Sequence, residues 1–192
     1  MFLYLRDETS IFTAPTRLLH FAPEPALSAV FERHPNIDYV TTDIAGSDVS
    51  IRMDAEDLLF RDNVFDCVII SHVLEHVPDD QRAMSELARV LRPDGFALIM
   101  VPILGTPEGR TFEDPSIVDP RERERIFGQA DHVRRYGHDF PDRARAAGFD
   151  VTDVPYPGLL GAETTRLHGL FPSERLFIGR PDTRGKPPGR AA

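Results

Sequence analysis

Two stretches of this chain are too continuously apolar to lie anywhere but in the middle of a sheet. Phe65-Asp-Cys-Val-Ile-Ile70 and Phe96-Ala-Leu-Ile-Met-Val101 read as strands covered on both faces. That is the pattern of parallel sheets, because a sheet with one wet face alternates apolar and polar residues. The segment between them reads as a helix. Pro78-Asp-Asp80 supplies its start, Met84, Leu87, Ala88 and Leu91 form one apolar stripe, and Pro93-Asp-Gly95 ends it.

The same alternation extends in both directions. Arg17-Leu-Leu-His-Phe21 is strand-like, and Pro25 to His34 carries Leu27, Val30, Phe31 and His34 at helical spacing. Ile37-Asp-Tyr-Val-Thr-Thr42 is β-branched, and Val49-Ser-Ile-Arg-Met53 is a shorter strand. Asp139 is placed to cap a helix that Gly148 ends, and Phe149 to Val154 and Arg175 to Ile178 close the series as two late strands. No hairpin signal separates successive strands, so the expected fold class is α/β: an open, mainly parallel sheet with helices on both faces. At 192 residues the chain has room for one such domain, expected over residues 17–179. Residues 1–16 read as a helical edge segment. The stretch 180–192 has no apolar period and is expected to be a disordered tail.

A formal charge of −9 argues against a surface that gathers nucleic acid or an anionic membrane. The single cysteine, Cys67, excludes an intrachain disulfide and any multi-cysteine zinc site within the chain. No apolar run is long enough to span a bilayer, and the opening residues are too acidic for a secretory signal. A cytoplasmic protein is expected. Only one of the 22 basic residues is lysine, Lys186, and the arginines scatter as a compositional bias would scatter them.

In open parallel sheets ligands bind beyond the carboxyl ends of the strands. That directs attention to His20–Glu24, Asp43, Asp54–Asp57, Ser71–His76 and Pro102–Thr106. Asp43 follows the second strand, where a carboxylate can accept both hydroxyls of a ribose. Asp54 and its neighbours follow the third, where a carboxylate can meet an adenine amino group. Aspartates are equally at home as helix caps and loop residues. The first turn, His20-Phe-Ala-Pro-Glu-Pro25, lacks the glycines through which a backbone approaches a pyrophosphate. A phosphate would also meet the Glu24 carboxylate. Dinucleotides and ATP fit poorly, whereas a phosphate-free adenosine carrying positive charge fits well, and S-adenosylmethionine has those features.

Three histidines are candidate acid–base groups: His76, His132 and His138. His72-Val-Leu-Glu-His76 also spells the H-x-x-E-H pattern of a zinc hydrolase, which needs both histidines on one helix. Here a buried strand precedes the pattern and Val77-Pro-Asp follows, so it reads as strand end plus loop. His132 and His138, with Asp131, Arg134, Arg135 and Tyr136, read either as part of an acceptor site or as a solvated helix face. Arg121-Glu-Arg-Glu-Arg125 reads as a solvated face. No histidine or carboxylate spacing, including His132, His138 and Asp139, is diagnostic of a metal, and no metal is expected.

The segments Phe65-Asp-Cys-Val-Ile-Ile-Ser-His-Val-Leu-Glu-His-Val77 and Ser85-Glu-Leu-Ala-Arg-Val-Leu-Arg-Pro-Asp-Gly-Phe96 resemble the class I S-adenosylmethionine-dependent methyltransferases. Their small-molecule-type branch is the nearest, and with Leu18–Glu24, Asp43 and Asp54–Leu58 in order the likeness spans residues 17–102. It continues more weakly through His132 to Phe149. The resemblance implies a Rossmann-like, seven-stranded sheet. It also implies that His20, Phe21, Ala22 and Glu24 hold the methionine portion of the cofactor, Asp43 the ribose, and Asp54, Ala55 and Glu56 the adenine. Ser71 and His72 would line the floor near the methyl, and residues 105–140 would form an acceptor-site lid. The chain departs from the family in its first turn, where Ala22, Pro23 and Glu24 replace glycines and His20 replaces an acid. A subgroup marked by Leu-His-Phe-Ala-Pro-Glu shares that replacement. Similar proteins often carry an upstream zinc ribbon, and beside them this chain reads either as a short form or as a truncated gene product.

The expected function is therefore methyl transfer from S-adenosylmethionine, with S-adenosylhomocysteine as product, to a small-molecule acceptor, O-methylation ahead of N- or C-methylation. A non-catalytic module that keeps the fold, and a zinc hydrolase, are the alternatives.

Overall fold

The computed structural model describes residues 1–104 and 109–183. In chain order the elements are α1 (Phe2–Glu8), β1 (Thr16–Phe21), α2 (Pro25–Phe31), β2 (Ile37–Asp43), β3 (Ile51–Arg52), β4 (Phe65–Ser71), α3 (Asp80–Val90) and β5 (Leu91–Met100). There follow β6 (Phe112–Glu113), α4 (Pro120–Phe127), β7 (Arg134–Arg135), α5 (Phe140–Ala146), β8 (Phe149–Val154), α6 (Tyr156–Leu159), α7 (Gly161–Leu167) and β9 (Leu176–Pro181). Seven strands form one sheet in the order β3-β2-β1-β4-β5-β9-β8. The first five run parallel, and β9 is antiparallel to both β5 and β8. This is a Rossmann-like α/β fold, with helices on both faces as expected. Sequence order reverses at β1, which has β2 on one side and β4 on the other, so a crevice opens at their carboxyl ends.

Successive residues of the central strands point to opposite faces, and both faces are buried. Val68, Ile70, Ala97 and Ile99 join Met84, Leu87 and Ala88 of α3 and Phe140 and Ala144 of α5 in one core. Cys67, Ile69, Leu98 and Met100 join Leu3 and Leu5 of α1, Phe31 of α2 and Tyr156 of α6 in the other. The two apolar runs of the sequence are the floor shared by both layers.

Several boundaries differ from the sequence expectation. Helix α3 ends at Val90 rather than at Pro93-Asp-Gly95. Leu91 already pairs with Phe65, and the register shifts before Phe96 meets Cys67, so the chain passes from helix into strand through an irregular stretch. Asp139 does not cap α5 with its side chain; its Oδ1 accepts instead from the backbone N–H and hydroxyl of Thr111, at 2.7 and 2.8 Å. Strand β9 runs through Arg180 and Pro181, two residues into the stretch read as tail, and residues 184–192 lie outside the described residues. The two-residue ladder of β6 with β7 and the helices α6 and α7 had no separate signal.

Loops around the crevice are stapled by arginines. Arg89 of α3 donates to the carbonyls of Leu58 and Phe60 at 2.9 and 2.8 Å and pairs with Glu86 and Asp62. That fixes the β3–β4 connection. Arg134 does the same for the β4–α3 connection. It is 2% exposed, and donates to the carbonyls of Leu74 at 2.7 Å, Pro78 at 2.8 Å and Val77, while its Nε meets Glu113 at 2.9 Å. Asp80 is buried beside it and accepts from Arg143 at 2.6 Å and from the Tyr136 hydroxyl at 2.8 Å. Segment 132–136 is therefore not a solvated helix face. His132, Arg134 and Tyr136 are buried, whereas the Arg121–Arg125 run does form a largely exposed helix, α4.

Candidate functional site

The strand ends meet at a cavity of about 210 Å³ lined by Phe21, Ala22, Asp43, Ile44, Met53, Asp54, Ala55, Val73, His76, Val77 and Pro78. Its walls are mostly apolar, and its polar groups are the carboxylates of Asp43 and Asp54 and the ring of His76. Of the residues assigned to a cofactor, Phe21, Ala22, Asp43, Asp54 and Ala55 lie on this wall. Ile44, Met53, Val73, Val77 and Pro78 join them without a separate sequence signal, since an apolar residue after a strand looks like any other.

Asp43 ends β2 and lines the cavity, and its Oδ1 accepts from the backbone N–H of Ala45 at 2.8 Å in the turn that follows. Gly46 permits that turn: a Cβ there would lie 2.9 Å from the Asp43 Cβ. Asp54 accepts from the backbone N–H of Glu56 at 2.9 Å. Glu56 itself turns away and accepts from the backbone N–H of Asp79 at 2.8 Å, so it braces the β4–α3 loop and is not on the cavity wall.

The first turn is built without glycine by a buried relay. His20 is fully buried; its Nε2 lies 2.8 Å from Glu24 Oε2 and its Nδ1 2.9 Å from the Tyr39 hydroxyl, which lies 3.0 Å from Ser28 Oγ. A single proton direction satisfies the chain, with Ser28 donating to Tyr39, Tyr39 to His20, and His20 to Glu24. Burial pushes the Tyr39 phenol up to about 12. Burial pushes the Glu24 carboxyl up as well, but hydrogen bonds from His20, its own backbone and Ser71 outweigh it and hold that carboxyl below its usual range. His20, Glu24 and Ser71 thus shape the turn from behind the cavity wall. Ala22 carries a φ of +44°, and His72, after β4, a φ of +52°. Left-handed backbone costs a non-glycine residue about 1 kcal/mol or more, so both turns facing the crevice are held under strain.

The H-x-x-E-H segment is a loop after β4, not a helix, which removes the zinc-hydrolase geometry. His72 leans out, half exposed, with Nδ1 3.3 Å from Glu75 Oε1, and that hydrogen bond raises the imidazole above its usual value. His76 and His132 come together, with ring centroids 4.6 Å apart. His132 is buried, and its Nδ1 lies 3.2 Å from the Phe127 carbonyl. His138 is exposed and is not on the cavity wall. From the stretch read as a lid, the described part (109–140) packs against the β4–α3 loop, with the backbone N–H of Val133 donating to the Glu75 carbonyl at 2.9 Å; residues 105–108 lie outside the described residues.

Residues 25–99 match a family model described as a methyltransferase domain. Among characterised sequences, the chain is similar to the ubiquinone/menaquinone biosynthesis C-methyltransferase UbiE of Vibrio cholerae, 34% identical over 95 residues, which is 47% of this chain and 36% of that protein. It is 40% identical over 57 residues to the same enzyme of Haemophilus ducreyi, covering 30% of this chain and 22% of that one. The matches thus span about a third or less of these relatives. Among solved structures, an S-adenosylmethionine-dependent methyltransferase from Mesorhizobium loti superposes with a TM-score of 0.60 at 16% identity, covering 93% of this chain and 96% of that one. The [4+2]-cyclase SpnF also reaches 0.60, at 18% identity, covering 88% and 76%.

Proposed function

We propose that the chain is an S-adenosylmethionine-dependent methyltransferase that acts on a small-molecule acceptor. The observation that carries this reading is the composition of the cavity at the β1/β2/β4 ends. Apolar walls suited to a flat base adjoin one carboxylate at the end of β2, and the Glu24 carboxylate lies behind a turn with no glycine to receive phosphate. This donor set fits a phosphate-free, positively charged nucleoside. Asp43 would hold the ribose hydroxyls, with Asp54 and Ala55 beside the base. Phe21 and Ala22 would border the methionine portion, backed by His20, Glu24 and Ser71. S-adenosylmethionine would bring an already activated methyl group, so the protein's part is to position the two reactants and to exclude water.

Among the three candidate histidines, His76 lies on the cavity wall and is the polar group placed to meet an acceptor; His132 stands directly behind it. An oxygen acceptor gains most from such a group, which favours O-methylation over transfer to nitrogen or carbon. The same fold in a cyclase keeps a second reading open, that of a nucleoside-binding module without transferase activity. Calorimetry with S-adenosylmethionine and S-adenosylhomocysteine tests the first step. Asp43→Ala should weaken both by about 1–3 kcal/mol, the worth of a hydrogen-bonding carboxylate lost from a site. Unchanged affinity would remove Asp43 from the site, and tight binding without transfer to any acceptor in a broad panel would favour the second reading.

A further inference from the structure

We propose that Glu75, His76 and His132 form a binding site for a divalent first-row transition metal of the zinc type. One ligand atom from each of the three lies within 4.8 Å of the others. A tetrahedral shell with bonds near 2.0–2.1 Å needs its ligand atoms roughly 3.3 Å apart, so a metal would draw the three inward by about 1.5 Å at most. Two imidazoles with one carboxylate leave a fourth position open. Imidazole ligands also separate this site from those of magnesium and calcium, which take oxygen.

The second observation is a buried carboxylate oxygen with nothing to accept. Glu75 is 1% exposed; its Oε1 faces His72, and its Oε2 has no hydrogen-bond partner among the described residues. An unmet charged oxygen in that position costs several kcal/mol unless a proton or a cation answers it. Both histidines already have an oxygen beside Nδ1. The Phe127 carbonyl takes the Nδ1 side of His132 at 3.2 Å, and Asp131 Oδ2 lies 3.1 Å from His76 Nδ1, so the Nε2 lone pairs remain available. A carbonyl or carboxylate behind each ligating imidazole is the usual outer shell of such centres.

The charges also close. A dication would be matched by Glu75 within the shell and Asp131 just outside it. The nearby Arg134 guanidinium is already paired with Glu113 at 2.9 Å, with Asp80 at 3.8 Å. The ligand set is not that of the H-x-x-E-H pattern. His72 leans out to solvent, and His132, 56 residues beyond His76 in the sequence, takes its place. This explains why spacing gave no sign of a metal: the third ligand arrives through the packing of segment 127–134 on the β4–α3 loop. Bound there, the metal would make His76 a ligand, so its acid–base role toward an oxygen acceptor belongs to the metal-free protein.

The inference does not depend on methyl transfer, because metal binding is read without cofactor or acceptor. The full chain, stripped with a chelator and dialysed, is titrated with Zn²⁺, and with Co²⁺ for its visible absorption. One equivalent of Zn²⁺ at micromolar affinity or tighter is expected, with the intense cobalt bands of a four-coordinate site. Glu75→Gln, His76→Ala and His132→Ala should each weaken Zn²⁺ binding by about 100-fold or more, since even outer-shell losses cost 10–100-fold. His168→Ala, at an exposed residue that ends α7 and is not among the three, should not. His76 is partly exposed, so its variant keeps the test decisive if the two buried variants do not fold. Binding weaker than about 100 μM (a free energy no stronger than about 5–6 kcal/mol), or a His76→Ala protein that binds Zn²⁺ as the parent does, would overturn the site. So would equal loss in His168→Ala, which would mark surface binding.

Discussion

Arg134 does not line the cavity, but it grips the backbone of two residues that do, Val77 and Pro78. In Arg134→Met the methionine fills much of the aliphatic volume but donates nothing. The Leu74 carbonyl keeps the Tyr136 hydroxyl at 3.3 Å, and Asp80 keeps Arg143 and Tyr136. Glu113, 41% exposed, can turn to water. The carbonyls of Val77 and Pro78 lose the guanidinium that serves both. Pro78 is exposed and its carbonyl can turn to water, so one buried acceptor, the Val77 carbonyl, is left bare, a loss of about 1–3 kcal/mol. For a chain of this size that is a fall of roughly 2–12 °C in Tm. Urea unfolding with calorimetry measures it, and nucleoside affinity should fall as well, because Val73, His76, Val77 and Pro78 of the cavity wall ride on the same loop. Arg134→Lys, with one compact ammonium in place of a five-donor fork, should recover only part of either loss. A change below about 1 kcal/mol in the methionine variant would refute the clamp, since surface substitutions typically stay within about half that.

Gly46→Ala should weaken nucleoside binding while costing little stability, because the new methyl presses on the Asp43 side chain at 2.9 Å at an exposed loop; calorimetry beside a melting curve separates the two. Glu24→Gln should destabilise the protein at neutral pH. The folded-state pKa of Glu24 lies below its ordinary value, so its contribution is present above the unfolded pKa and vanishes as pH falls through the folded one. Parent and variant stabilities measured from neutral to acid should therefore converge below the usual carboxylate range, and a constant difference would contradict the relay.

What could be read from the sequence follows from how local each signal is. Phe65–Ile70 and Phe96–Val101 announce two-sided burial in their own composition, and Asp43 announces itself by standing at a strand end. Asp54 and Ala55 follow by the same logic. Glu56 was expected at the base and instead braces Asp79, because nothing in a run of acids says which one turns inward. His20, expected beside the cofactor, faces the opposite side of β1, into a nest of Phe31 and Tyr39. Strand alternation puts Leu19 and Phe21 in one core and Leu18 in the other, and His20 belongs with Leu18. The solvated-face reading of 132–136 failed for a non-local reason. Arg134 is buried only because three carbonyls from a loop 56 or more residues away converge on it.

The glycine-free elbow ties these observations together. A glycine turn adopts positive φ without strain but leaves its position soft; here Ala22 and His72, just beyond the carboxyl ends of the neighbouring strands β1 and β4, are both held left-handed. Two such residues cost about 2 kcal/mol or more together, and that conformation persists only where the surroundings over-determine it. The His20–Glu24–Ser71 contacts do so at the first turn, and the Glu56 and Arg134 contacts do so at the second. Replacing Ala22 by glycine should therefore relieve strain but loosen the turn. Thermal stability should hold or rise slightly while nucleoside affinity falls. An Ala22→Gly protein that bound more tightly would show that the strain is not what positions the site, and that the relay behind it serves stability alone.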